Sequence, residues 1–165
     1  MRRADPLSEL EELYREGFAR FLRVARAVTG DRETARDAVQ DGFYKAIRQR
    51  RSFRGRGPLE AWVWRIVLNE ARRARRRPVE LAFAPEPGYE IVANGNGHSG
   101  DEDEQLRVAV AALPERQRLV LFLRYYADLD YAAIALALGI ERGTVSATLS
   151  SAHATLRRVL TEVPT

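Results

Sequence analysis

Arginines and aromatic rings crowd together between Ser52 and Arg77, in the run SFRGRGPLEAWVWRIVLNEARRARRR. A short Arg- and Gly-rich loop leads into a helical stretch with Trp62 and Trp64 and then five arginines within six residues. Guanidinium groups neutralise phosphates, and aromatic faces give unstacked bases a surface to rest on. The pairing suits a nucleic-acid surface, and equally an amphipathic core helix with a solvated basic end.

Charge is distributed unevenly along the 165 residues. Residues 1–77 hold 20 basic and 11 acidic side chains, net +9; residues 78–104 hold seven acids and no Lys or Arg, net −7; residues 105–165 hold seven bases and five acids, net +2; these add to the overall +4. A basic front half followed by an acidic spacer points to a polyanionic partner, above all nucleic acid. Every basic residue but Lys45 is arginine, a bias that suits phosphate and guanine recognition but is better explained by a GC-rich genome.

Other chemistries lack their residues. The chain has no cysteine, which excludes disulfides, thiolate catalysis and cysteine-ligated zinc. His98 and His153 stand far apart in sequence, so no metal site and no cofactor is expected. No nucleophile–base constellation or phosphate loop is present, and an enzyme is not expected. No apolar run approaches a membrane span, and Met1-Arg2-Arg3 has no hydrophobic stretch behind it, so the expectation is a cytoplasmic protein.

Helices must carry these residues. Leu10, Tyr14, Phe21, Ala25 and Val28 recur at helical spacing until Gly30. Asp31 can cap a second helix striped by Ala35, Ala38, Val39, Gly42, Phe43, Ala46 and Ile47. After a polar loop from Arg50 to Gly57, Pro58 suits the first turn of a third helix that buries Leu59, Val63, Ile66 and Val67. These helices predict one small bundle over residues 5–77. Residues 78–101, with three prolines and Asn94-Gly95-Asn96-Gly97, read as a flexible acidic linker.

A second module follows over residues 102–162. One helix starts among Asp101–Glu104 and ends before Pro114, and the next packs Leu119, Val120 and Leu123. Asp130 caps a short helix over Tyr131–Leu138, Gly139 turns the chain, and the last helix aligns Val145, Leu149, Ala152, Leu156 and Val159. Ala135, Gly139 and Val145 meet the small residue, left-handed turn and apolar anchor that a helix-turn-helix requires. Its second helix would present Arg142–Thr144 to the major groove. The fold class is all-α, with two helical modules and no strand.

Three segments together resemble the sigma factors of bacterial RNA polymerase, specifically the extracytoplasmic-function group. DAVQDGFYKAI (Asp37–Ile47) is similar to the family's polymerase-binding helix, D-x-V-Q-[DE]-x-F. The Ser52–Arg77 run resembles its S-F-R-G loop and W-L-x-R-I-x-x-N helix. LPERQRLVLFLRYYADLDYAAIALALGIERGTV (Leu113–Val145) resembles the pattern that runs from L-P-x-x-x-R to L-G-x-x-x-G-T-V.

The resemblance implies a sigma region 2 bundle and a sigma region 4 helix-turn-helix. It implies core RNA polymerase (clamp helices and flap) and promoter DNA as partners, with an anti-sigma factor as a further candidate. Polymerase docking falls to Asp37, Gln40 and Asp41. Binding and melting of the minus-ten element fall to Phe53, Arg54, Arg56, Trp62, Arg65, Asn69, Arg72, Arg73 and Arg76, with a base captured from the non-template strand. Minus-thirty-five recognition falls to Arg142, Thr144, Ser146, Thr148, Ser150 and Ser151.

The last helix departs from the family. Where relatives commonly follow G-T-V with K-S-R-L-x-R-A-R, this chain reads Ser146-Ala147-Thr148-Leu149-Ser150-Ser151-Ala152-His153. Fewer cations mean fewer counterions released, so the upstream contact is expected to be weak, with affinity carried by the first module. Two alternatives are a helix-turn-helix regulator that no longer docks on polymerase and an anti-sigma-binding module.

Overall fold

Helical periodicity and caps fix the first module. A computed structural model describes residues 5–76 and 100–162. Helix α1 runs Leu7–Thr29 and stops where Gly30 turns left-handed at φ 91°. Helix α2, Arg32–Gln49, starts at Asp31, whose carboxylate accepts from Thr34 N at 2.8 Å. A 3-10 turn, Arg50–Ser52, begins the loop that feeds α3, Leu59–Arg76.

α1, α2 and α3 pack on one another around Phe21, Val24, Val39, Phe43, Val63, Trp64, Val67 and Leu68, all buried. Phe21 stacks on Trp64 with ring centroids 3.9 Å apart and meets Phe43 edge-on at 4.9 Å. Tyr14, expected in the stripe, lies at the rim, where its ring meets Phe43 edge-on at 5.1 Å. Ile66 likewise sits at the edge of the buried arc.

α2 and α3 approach closely at Gly42. A Cβ added there would lie 2.6 Å from Val67 Cγ2 and 2.9 Å from Val67 Cα. Backbone cannot step aside as a flexible side-chain tip can, so Gly42→Ala is expected to cost about 1–3 kcal/mol through overpacking. Urea denaturation of the variant measures it, and unchanged stability would mean that the two helices do not approach this closely.

The second module has α4 over Gly100–Ala111, α5 over Glu115–Tyr125, α6 over Tyr131–Leu138 and α7 over Arg142–Thr161. The described chain resumes with α4 at Gly100, two residues inside the predicted linker; the rest of that linker, from 78 to 99, lies outside the described residues. Asp130 caps α6 by accepting from Ala133 N at 2.7 Å. Gly139 is left-handed at φ 65°, and α6 and α7 meet at 100°, the geometry of a helix-turn-helix.

Leu119, Leu123, Ile134, Val145 and Leu149 form this module's core. Val159, expected on the same stripe of α7, lies beyond it and is exposed, because the helix outruns the partners that cover Val145–Ala152. All elements among the described residues are helical. The two modules touch, α6 lying against α3 and α5 against α1.

Candidate nucleic-acid interface

The loop after α2 and the outer face of α3 form a pocket. Ser52, Phe53, Arg54, Arg56, Gly57, Pro58, Trp62 and Arg65 line a cavity of about 390 Å³, with Leu136 of α6 as its remaining wall. Phe53 and Trp62 form the aromatic part, their centroids 5.5 Å apart at an angle of 45°. Arg54, Arg56 and Arg65 are exposed around it. An aromatic floor with a ring of guanidiniums can stack a base and hold its flanking phosphates. A wider cavity of about 810 Å³ shares Phe53, Gly57 and Pro58, but Asp5 and Glu9 put carboxylates in its wall, which suits phosphate poorly.

The two tryptophans divide. Trp64 is fully buried on Phe21, and its Nε1 donates to Glu60 Oε1 at 3.3 Å. Trp62 is half-buried and faces the pocket.

The sequence-predicted set does not stay together as one cationic face. Phe53, Arg54, Arg56, Trp62 and Arg65 converge on the pocket, while Asn69 is exposed farther along α3. Arg72 Nε donates to Glu115 Oε1 at 3.4 Å, and Arg75 pairs with the other oxygen of the same carboxylate. Arg73 lies 3.6 Å from the buried Glu70, which Lys45 also contacts at 2.5 Å. The arginine end of α3 is thus largely neutralised by acids of the chain itself; the Arg76 side chain lies outside the described residues. Burial raises the Glu115 pKa, yet Arg75 and Arg72 outweigh that and hold the carboxyl below its ordinary value.

Sequence reasoning missed Leu136 and Glu115. Each acts through a contact between distant segments, which no local pattern signals. Two further contacts of this kind are Arg20 donating to Ala127 O and Arg118 donating to Ala27 O, both at 3.3 Å. Arg23 also stacks over the Tyr126 ring, 4.9 Å from its centroid.

On α2, Asp37, Gln40 and Asp41 are all exposed on the face away from Val39 and Phe43. Tyr44, also exposed, adds an aromatic ring to that helix, with its hydroxyl 3.1 Å from Arg48 Nη1.

On α7, Arg142, Ser146 and Ser150 are exposed. Thr148 donates to the Thr144 carbonyl at 2.6 Å, and Ser151 accepts from Gln117 Nε2 at 3.0 Å. Two of the predicted reading hydroxyls are thereby engaged within the protein. Among the described residues no group of His, Asp or Glu could hold a metal ion, and no single helix is long and apolar enough to cross a membrane.

Known proteins share both modules. The family model for sigma-70 region 2 matches residues 13–78, and that for sigma-70 region 4 matches residues 103–156. The chain is 29% identical over 160 residues to the RNA polymerase sigma factor YlaC of Bacillus subtilis, covering 93% of this chain and 92% of that one. It is 30% identical over 156 residues to the ECF RNA polymerase sigma factor SigM of Mycobacterium tuberculosis, covering 91% and 76%.

Among solved structures, CnrH in complex with the cytosolic domain of CnrY superposes with a TM-score of 0.68 at 21% identity, over 96% of this chain and 91% of that one. The sigma factor RpoE in complex with the anti-sigma factor NepR, from Bartonella quintana, gives 0.60 at 24% identity, over 93% and 99%. These two likenesses establish the shared fold. With both family regions in order and relatives matched along most of their length, the chain belongs to the extracytoplasmic-function sigma factors of RNA polymerase.

Proposed function

We propose that residues 5–77 dock on core RNA polymerase and capture the melted minus-ten element. In the same reading, residues 102–162 contact the minus-thirty-five element and residues 78–101 link the two. Asp37, Gln40 and Asp41 meet the polymerase clamp helices. Phe53 and Trp62 receive a base flipped from the non-template strand, while Arg54, Arg56 and Arg65 hold its phosphates. Asn69 reads a neighbouring base edge. Opening then draws on binding energy, the chain has no chemical step of its own, and it acts in the cytoplasm.

The observation that carries this reading is the aromatic pocket rimmed by Arg54, Arg56 and Arg65, built on the same three-helix bundle as the exposed acidic face of α2. An anti-sigma protein is a candidate partner, as RpoE has in its complex with NepR. For the upstream contact, engagement of Thr148 and Ser151 within the protein supports a weak interaction in which Arg142, Thr144, Ser146 and Ser150 remain available.

In vitro transcription with purified core polymerase over a promoter library tests the assignment. Initiation is expected from a sequence-related subset of promoters. Asp37→Arg with Asp41→Arg is expected to lower core affinity and transcription about 30-fold, the scale of a few kcal/mol for reversed interface charges. The α2 core stripe should keep its circular dichroism unchanged. Transcription absent from every promoter, or undiminished in the double variant, would remove the docking assignment.

A further inference from the structure

The second module carries a polar pair that the promoter reading leaves unused. Tyr125, at the end of α5, is 62% exposed, and its hydroxyl lies 3.0 Å from His153 Nε2 on α7. The ring centroids are 5.9 Å apart. At about 100° per helical residue, His153 shares one face of α7 with Arg142, Ser146, Ser150 and Arg157, all exposed. The pair therefore borders the hydroxyls that remain available for the upstream element.

Imidazole is the side chain whose charge changes across neutral pH. A neutral ring has one acceptor nitrogen, which can take the Tyr125 O–H; a protonated ring has only donors. Nε2–H must then donate to the phenol oxygen, and the Tyr125 proton turns outward beside a new positive charge. A donor backed by a cation makes a charge-assisted anion site.

The other charged groups on the helices around α7 are engaged or distant. Glu115 is held by Arg72 and Arg75, Arg107 by Glu104 at 3.1 Å, Arg124 by Asp128 at 3.7 Å, and Arg118 by the Ala111 and Ala27 carbonyls. Arg116 lies at the opposite end of α5 from Tyr125, and α6 offers only Tyr131. Among the described residues no carboxylate pairs with His153, so the anion must come from outside the module.

We propose that Tyr125 and His153 form a proton-dependent phosphate site, which grips the backbone of upstream duplex DNA when the imidazole is charged and releases it when the imidazole is neutral. The site rests on the reading of α7 as the upstream contact. Binding takes up a proton, so by linkage affinity is greatest at low pH and falls as pH rises.

The test uses holoenzyme formed with the full-length chain. Its ligand is a labelled duplex carrying a promoter recovered from the library, upstream element included. Fluorescence anisotropy follows binding between about pH 6 and about pH 8. Both positions are exposed and His98 stays in every variant. The unmodified chain should bind about tenfold more tightly than His153→Gln at the acidic end, the scale of one charge-assisted hydrogen bond, and equally at the basic end. Its log–log salt slope at the acidic end should be steeper by about 0.9, the value of one phosphate. Tyr125→Phe should lose most of the acidic gain, and His153→Arg should keep tight binding throughout. A single-stranded minus-ten oligonucleotide should not distinguish these chains.

The same pH dependence in the unmodified and His153→Gln chains would overturn the phosphate site and leave the upstream contact standing. A pH dependence lost in His153→Gln without any change of salt slope would also overturn it, since a packing role needs no phosphate. If removing the upstream duplex left affinity unchanged at every pH, the upstream reading would fall and the site with it.

Discussion

Trp64→Ala is expected to destabilise the first module by about 3–5 kcal/mol, the range for removing a large aromatic from a packed core. Its ring is completely buried, stacks on Phe21 at 3.9 Å and donates to Glu60. Trp62→Ala should cost stability only roughly 1 kcal/mol, because a half-buried ring leaves no sealed cavity. It should instead weaken single-strand binding by about 1–3 kcal/mol, or roughly 5- to 150-fold, the worth of one base–aromatic stack. Urea denaturation and anisotropy on the minus-ten oligonucleotide separate the two outcomes. Tryptophan emission adds a second reading: DNA should quench a Trp64→Phe variant, which keeps Trp62, and leave a Trp62→Phe variant unquenched. Unfolding by Trp62→Ala with Trp64→Ala tolerated would reverse the roles given to these two rings.

Sequence pattern could not have decided between them. Successive helical residues are turned by about 100°, so Trp62 and Trp64 lie on opposite flanks of the stripe centred on Val63. A stripe of Leu59, Val63, Ile66 and Val67 leaves the two equivalent. Phe21 breaks the tie, because α1 packs on the Trp64 flank and extends the buried arc through Leu68 and Ala71. Ile66 is displaced to the edge for the same reason.

Elements whose signals are local were legible. Asp31 and Asp130 are caps because a short carboxylate reaches the free amide three residues on, and Gly30 and Gly139 end helices because they adopt left-handed backbone. The bundle and the helix-turn-helix follow from those signals together with apolar periodicity. The fate of the arginine end of α3 was not legible. A cation-rich run has the same sequence whether phosphate, water or a distant carboxylate satisfies it, and Glu115 lies 40 residues beyond Arg75 in the chain. Leu136 was equally hidden: in an apolar α6, nothing local distinguishes the residue that faces another module from those that face its own.

The same neutralisation determines which cations should control DNA binding. Arg54, Arg56 and Arg65 ring the pocket, whereas Arg72 and Arg75 share Glu115 and Arg73 approaches Glu70. On α7, Ser146–His153 contributes no arginine, and Arg142 precedes it alone on the first turn. Single-strand binding changes by about 0.7 log units per log unit of salt for each phosphate neutralised. Removing three contacts with Arg54→Gln, Arg56→Gln and Arg65→Gln should therefore flatten the log–log salt slope of holoenzyme on a forked promoter by about 2. Affinity should fall on the order of 10²-fold, since charge-assisted hydrogen bonds contribute about 1.5–3 kcal/mol each and water recovers part of that. Arg142→Gln should change the slope by less than about 1 and the affinity by less than about tenfold. All four side chains are exposed, so stability should hold and the comparison should report binding alone. An Arg142→Gln effect equal to that of the triple variant would place the electrostatic grip on the upstream element and would contradict a cation-poor recognition helix.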